Sequence, residues 1–300
     1  NLSNFDLNKY GFNHVTSEKT MGLYQNNNAS QLAILTDSIY NNIDFTVNTL
    51  DNQTSLLNTL SGLNLTYFKR APSQLFDKDA RSLNQRVAKN VSNSNKDFVT
   101  ITYQVIAPPH SQLYVSIPNI SWSDDNNHTL SITVNGVTKN QVTDNTFDFF
   151  DLGYFETESM VTIKLSFPGN KAISFDNPSF YALDTQNYQI AMNTINERDS
   201  KVTTSKNKVF VDYSSKTNAS LFFTIPYDKG WTATINHKKV KIQRAQKGFM
   251  KVDVPSGKGK VVLTFIPYGL KTGSLISLLA SIIFCCYAYF IRKTTIIQKS

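Results

Sequence analysis

The sequence predicts a mainly β protein. It comprises two β-sandwich domains of jelly-roll or immunoglobulin-like type, a mixed α/β segment before them and one C-terminal transmembrane helix after them. Three observations predict this. From Phe98 onward, apolar residues recur at every second position in many short runs separated by turn residues, as in the half-buried strands of stacked sheets. One such run ends in Asn135-Gly136, the strongest short hairpin signal. The stretch GSLISLLASIIFCCYAYFI, residues 273–291, carries no charge over 19 residues. As a helix it would be roughly 28 Å long, close to the ~30 Å of a bilayer hydrocarbon core.

Residues 1–95 are polar and mixed, and are expected to pack on the first sandwich. Within them Asp51-Asn52 reads as a helix cap, Leu56, Leu57 and Leu60 fall on one helical face, and Gly62 ends the helix at its C′ position. A strand over Leu63–Phe68 follows, and Arg81–Asn95 reads as a loop or short helix. The first sandwich covers 96–183. Its strands are marked by Val99, Ile101, Tyr103 and Val105; by Leu113, Val115 and Ile117; by Leu130, Ile132 and Val134; and then by Phe147, Phe149, Val161, Ile163, Leu165, Phe167, Phe175 and Phe180. A helical linker, 184–200, holds Tyr188, Ala191, Met192 and Ile195 on one side. The second sandwich covers 201–270, with alternation at Val209, Val211 and Tyr213 and at Leu221, Phe223 and Ile225. Further strands open at Trp231 and run through Val240–Ile242, Phe249–Val254 and Val261–Ile266. Residues 272–291 form the transmembrane helix and 292–300 a tail.

That tail carries Arg292, Lys293 and Lys299 and no acid, so the positive-inside rule assigns it to the cytoplasm and residues 1–270 to the cell exterior. The only cysteines, Cys285 and Cys286, lie in the helix. The outer region therefore has no disulfide and relies on core burial. The chain starts at Asn1 without an export signal, which suggests the C-terminal piece of a longer membrane protein. Eight N-x-S/T sequons occur, at Asn1, Asn28, Asn52, Asn64, Asn90, Asn119, Asn127 and Asn218. An asparagine-rich composition accounts for them without glycosylation.

Charge is uneven. Residues 1–200 hold 13 Lys/Arg against 19 Asp/Glu, whereas 201–271 hold 14 against 3, a net +11. Such asymmetry points to an anionic partner: phospholipid headgroups or an anionic cell-wall polymer, and not nucleic acid for an exterior domain. Lys238, Lys239, Lys241, Arg244 and Lys247 lie within ten residues and form the candidate polyanion-binding face. In a regular strand Lys239 and Lys241 share one side while Val240 and Ile242 take the other.

No catalytic constellation is expected. The histidines His14, His110, His128 and His237 are scattered without metal-ligand spacing. There is no P-loop, G-x-G-x-x-G or G-x-S-x-G. Asp124-Asp125, and Asp148 with Asp151, are the nearest approach to paired carboxylates, with Trp122 beside the first pair; their polar surroundings read as solvated surface. No catalytic, cofactor-binding or metal-binding residue is assigned, and no cofactor is implied. No LPxTG wall-anchoring motif precedes the helix.

The stretch IPYDKGWTATINHKKVKI, residues 225–242, carries a more specific pattern: Pro226-Tyr227, Gly230-Trp231, a strand, then a hairpin at Asn236 and Lys238. Pro267, Gly269 and Gly273 lead into the last helix, and MGLYQNN (21–27) and SLLNTLSGLNLTYF (55–68) lie upstream. With these features the chain resembles the bacterial YfhO family of membrane proteins. His237 stands where the family has glycine, so the hairpin must tolerate a side chain there. The resemblance implies a multi-spanning GT-C-like glycosyltransferase. Such a protein passes a sugar from an undecaprenyl-phosphate carrier to a Gram-positive cell-wall polymer such as lipoteichoic acid. Its acidic catalytic residues would lie in loops upstream of this chain, and the polyprenyl-phosphate donor would be held there. This region would be non-catalytic, structural or acceptor-binding. Tyr227 and Trp231 are expected to fill the sandwich core and Gly230 to supply a positive φ. Two other readings remain: a non-enzymatic surface receptor or adhesin binding wall glycans, and a eukaryotic single-pass surface protein.

Overall fold

A computed structural model of the chain describes residues 12–19, 21–26, 28–46, 49–78, 82–83, 87–89, 98–122, 128–143, 149–168 and 173–297. Asp124, Asp125, Phe147, Asp148, Lys299 and the sequons at Asn1, Asn90 and Asn127 lie outside the described residues. The chain divides into two compact units, one of residues 1–29 with 44–194 and one of 30–43 with 195–300.

The first unit is built on a five-stranded antiparallel sheet. Its strand order is Val137–Thr143, His128–Val134, Ser159–Pro168, Phe98–Ala107, Ser73–Lys78. A four-stranded sheet, Phe149–Phe155, Ser111–Ser116, Ser179–Asp184, Phe68–Arg70, contributes to the same core. A sheet of shorter strands, Ser121–Trp122, Ile173–Asp176, Val87–Lys89, Ser82–Leu83, adds Trp122 and Phe175. The alternation in sequence is the alternation of faces: along Ser159–Pro168, Val161, Ile163 and Leu165 are buried while Met160, Thr162 and Lys164 are exposed. Asn135 and Gly136 take φ of 46° and 87°, the doubly left-handed geometry of a two-residue hairpin turn. The buried Trp122 indole N–H donates to Thr143 Oγ1 at 2.9 Å, which satisfies its polar edge.

The second unit is a sandwich of a five-stranded and a four-stranded antiparallel sheet. The first has the order Ser200–Ser205, Lys208–Ser215, Gly257–Phe265, Trp231–Ile235, Lys238–Val240; the second, Gln243–Ala245, Phe249–Val254, Ala219–Phe223, Ala33–Leu35. Val211, Val261 and Leu263 from one sheet meet Leu221, Phe223 and Val252 from the other in a single core. All five residues of Ala219–Phe223 are buried, because the chain at 36–43 covers that sheet's outer face. The Tyr40 ring lies 5.0 Å from that of Phe222, and Ser220 N–H donates to Thr36 Oγ1 at 2.9 Å. Buried Lys251 donates to Tyr40 O at 2.7 Å and pairs with Asp253 at 3.0 Å. Burial of Asp253 acts to raise its pKa. Hydrogen bonds from Ser220, Lys251 and Gln243 and the Lys251 charge outweigh this and hold the carboxyl below its ordinary range.

Among the described residues there are three helices: Thr49–Ser61, Thr185–Asn196 and Leu270–Ile297. Gly62 has φ 73° and its N–H donates to Asn58 O at 2.8 Å, the C′ role expected of it. Asp184 caps the second helix by accepting from Asn187 N–H at 3.0 Å, and Ala191, Met192 and Ile195 are its buried side. The third helix contains Leu270–Tyr289, with mean hydropathy 1.7 and none of it buried, long and apolar enough to cross a membrane.

Several expectations are corrected. Residues 30–43 belong with the second unit and not the first, since Ala33–Leu35 pairs with Leu221–Phe223. The strand placed over Leu63–Phe68 begins only at Phe68, because Asn58 reaches back to bond the Leu65 backbone through both N–H and C=O. Asp51-Asn52 lies inside the first helix, which starts at Thr49. The Asn52 side chain instead accepts from Thr46 N–H at 2.8 Å and donates to Thr46 O at 2.9 Å. Within 81–95, the described pieces Ser82–Leu83 and Val87–Lys89 are paired strands. The last helix runs to Ile297, through most of the expected tail.

Candidate functional site

The basic face is organised by the hairpin Trp231–Ile235 / Lys238–Val240. Its turn residues Asn236 and His237 have φ of 46° and 70°, so His237 occupies a conformation that normally calls for glycine. Asn236 compensates locally. Its N–H donates to Lys260 O at 3.0 Å and its side-chain oxygen accepts from Lys260 N–H at 2.9 Å. Lys238, Lys239 and Lys241 are exposed, while Val240 and Ile242 pack against the second core. Arg244, on Gln243–Ala245, is exposed with its guanidinium carbon 4.8 Å from the Tyr227 ring centre. Lys247 is exposed in a turn with φ 62°. No carboxylate lies within salt-bridge distance of Lys238, Lys239, Lys241 or Arg244 among the described residues. Not all the positive charge of 201–271 is free: Lys251 is buried against Asp253 and Lys260 pairs with Asp212 at 3.6 Å.

The Tyr227–Trp231 segment departs from its expected role. Both aromatics are half-buried, at the margin of the core. Trp231 opens its strand and pairs with Phe265, the last residue of the neighbouring strand, with rings 4.9 Å apart. The sheet therefore ends beside it and one side of the ring stays open. Gly230 is not among the residues with positive φ. It is needed for room: a Cβ there would stand 2.4 Å from Ile266 O and 2.8 Å from Phe265 Cε2. The close approach lets Ile266 N–H donate to Gly230 O at 3.0 Å, tying this loop to the chain just before the apolar helix.

Together these elements enclose a cleft of about 230 Å³ lined by Tyr227, Lys229, Trp231, Thr232, Lys239 and Ile242. Of the five basic residues singled out in the sequence, only Lys239 reaches this cleft. Lys229 was missed, because it stands alone in sequence and joins the cleft only through the fold. Asp151, the one described member of the acidic pairs, bonds Gln112 and accepts from Gly153 N–H at 2.9 Å, the local tie of a β-bulge between Asp151 and Gly153. Among the described residues no group of three His, Cys, Asp or Glu could hold a metal ion.

The family model described as bacterial membrane protein YfhO matches residues 1–277. Among curated proteins, the uncharacterized protein YfhO of Bacillus subtilis (strain 168) is 26% identical over 141 residues. That stretch is 44% of this chain and 16% of that relative's length. Among solved structures, a cycloisomaltooligosaccharide glucanotransferase from Paenibacillus sp. is similar at a TM-score of 0.27 and 10% identity, over 75% of this chain and 52% of that one. A family two carbohydrate esterase from Cellvibrio japonicus is similar at a TM-score of 0.22 and 10% identity, over 38% and 33%.

Proposed function

This chain belongs to the YfhO family of bacterial membrane proteins, its family model covering residues 1–277, and from that premise we propose that it is the exterior, non-catalytic region of a membrane glycosyltransferase. In this reading the complete protein moves a sugar from undecaprenyl-phosphate to an anionic cell-wall polymer such as lipoteichoic acid. The chemistry belongs to residues upstream of this chain. Residues 1–270 lie outside the cell, the end after Arg292 lies inside, and the second sandwich meets the acceptor.

One observation carries the acceptor-binding part. Lys238, Lys239, Lys241 and Arg244 are exposed and lack acidic partners among the described residues. The hairpin that bears Lys238 and Lys239 pairs with the strand feeding the apolar helix, and Lys241 and Arg244 follow it directly in the chain. A glycerol-phosphate polymer meets such a face as a row of spaced anions, for which lysine is suited as a mobile point charge. Exposed contacts of this kind are screened over about 8 Å at physiological ionic strength, so binding falls steeply with salt. The test is titration of the chain with lipoteichoic acid at low and high salt. Lys239→Glu with Lys241→Glu should weaken binding severalfold at low salt. Unchanged affinity would reduce the basic face to a solvated surface.

A further inference from the structure

The cleft beside Trp231 sits close to the start of the apolar helix. Trp231 is level with Phe265, and the helix starts at Leu270. At no more than ~3.6 Å per residue, the intervening chain spans under about 18 Å. Lys229 narrows this gap: its Nζ lies 5.8 Å from the ring centre of Tyr268, two residues before the helix. In a bilayer the polar layer extends about 5–8 Å beyond the hydrocarbon on each side. The cleft is therefore within reach of lipid headgroups in the leaflet adjoining the helix N-terminus. This holds whichever way the helix is oriented.

Its lining combines two kinds of group. Lys229 and Lys239 bring ammonium groups with no acidic partner within salt-bridge distance among the described residues. Asp228, also in the lining, is already engaged, one oxygen accepting from Gly230 N–H at 2.6 Å. Tyr227, Trp231, Val240 and Ile242 supply an aromatic and aliphatic wall. Amphipathic aromatics and lysines of this kind favour the boundary between water and hydrocarbon. Two exposed lysines hold a free anion weakly in water. A ligand confined to the same membrane surface meets them at a high effective concentration, and this favours a lipid over a soluble anion.

We propose that this cleft takes the phosphate-bearing headgroup of an anionic membrane lipid. Lys229 and Lys239 meet the phosphate, and the Trp231 and Tyr227 rings line the glycerol side. The site shares Lys239 with the polymer-binding face but does not depend on that face or on the orientation proposed above.

The test uses the full 300-residue chain in neutral detergent, titrated with dihexanoyl phosphatidylglycerol while tryptophan emission is followed. Trp122 is buried and bonded within the first unit, so the response belongs to Trp231 and is lost in Trp231→Phe. A saturable change is expected, weakened by about tenfold or more in Lys229→Gln with Lys239→Gln. Dihexanoyl phosphatidylcholine should give no such change, and sn-glycerol 3-phosphate should bind at least about tenfold more weakly than the lipid. Lys238→Glu with Lys241→Glu, outside the cleft, should leave the lipid response intact while weakening lipoteichoic acid binding. No saturable change, an unaltered response in the Lys229/Lys239 variant, or equal binding of glycerol 3-phosphate each overturns the lipid site. Polymer binding that persists in that event leaves the acceptor reading standing.

Discussion

At Gly230 the absence of a side chain matters because backbone must pass close by. Any Cβ would stand 2.4 Å from Ile266 O, a distance that backbone cannot relieve by a rotamer change. Gly230→Ala is expected to destabilise the second unit by about 1–3 kcal/mol, the usual cost of overpacking. Denaturant unfolding followed by Trp231 emission measures it; a cost below about 0.5 kcal/mol would mean that the Gly230–Ile266 contact is easily displaced. Asp253 presents the opposite case, a charge kept because its partners need it. Its folded pKa is depressed, so the stability it contributes is present above the unfolded value near 4 and is lost as pH falls through the folded value. Acidification from about pH 4.5 to pH 2 should weaken the second unit less steeply in Asp253→Asn than in the parent chain. Equal slopes would show that the Ser220, Gln243 and Lys251 bonds do not bias its ionisation.

The segment 33–43 shows what a short element contributes when its pairing is distant. Ala33–Leu35 adds the edge strand beside Ala219–Phe223, and Tyr40 then closes the outer face, its hydroxyl donating to Gln246 Oε1 at 2.6 Å. Tyr40→Ala should cost about 3–5 kcal/mol, as for other buried large aromatics. Trp122 and Trp231 report on the first and second units separately. With Tyr40→Ala added, the transition seen by Trp231 in Trp122→Phe chains should move, while that seen by Trp122 in Trp231→Phe chains stays in place. Equal movement of both would mean that the units do not unfold independently. The central strands, such as Phe98–Ala107 and Ser159–Pro168, were legible because one face meets a core and the period of two survives in sequence. Ala33–Leu35 was not: three apolar residues have no period, and their partner lies far along the chain. Ser73–Lys78 and Ser200–Ser205, at sheet edges and largely exposed, lacked the alternation that burial imposes. The lysines of the candidate site were legible as exposed charge beside apolar neighbours. The cleft was not, since Lys239 reaches it only through the hairpin register that sets Thr234 opposite Lys239, and Lys229 only through the 227–230 loop packed against Phe265 and Ile266.

At the scale of the molecule, charge and hydropathy act in the same direction. The stretch with net +11 is the one joined directly to the apolar helix, while residues 1–200 are net −6. An anionic membrane or wall polymer would attract the first and repel the second, so the chain's own charge favours holding its basic sandwich at the surface. The orientation proposed above rests on a local contrast. Lys271 flanks one end of the uncharged run, whereas Arg292 and Lys293 flank the other, with Lys299 beyond. Basic residues near the end of a span resist translocation, and the excess lies at the C-terminal end. Cys285 and Cys286 are the only cysteines of these 300 residues, so with both changed to alanine, together with any cysteine upstream, no competing thiol is present. Tyr268→Cys in that background, within the complete membrane protein, should react with an impermeant maleimide on intact cells. Thr294→Cys should react only after the membrane is opened. Tyr268 is 81% exposed and precedes the helix, so its failure to label could not be ascribed to burial in the domain. Labelling of Thr294→Cys in intact cells with Tyr268→Cys protected would reverse the orientation. Both sandwiches would then lie in the cytoplasm, and an acceptor in the cell wall could no longer be their partner.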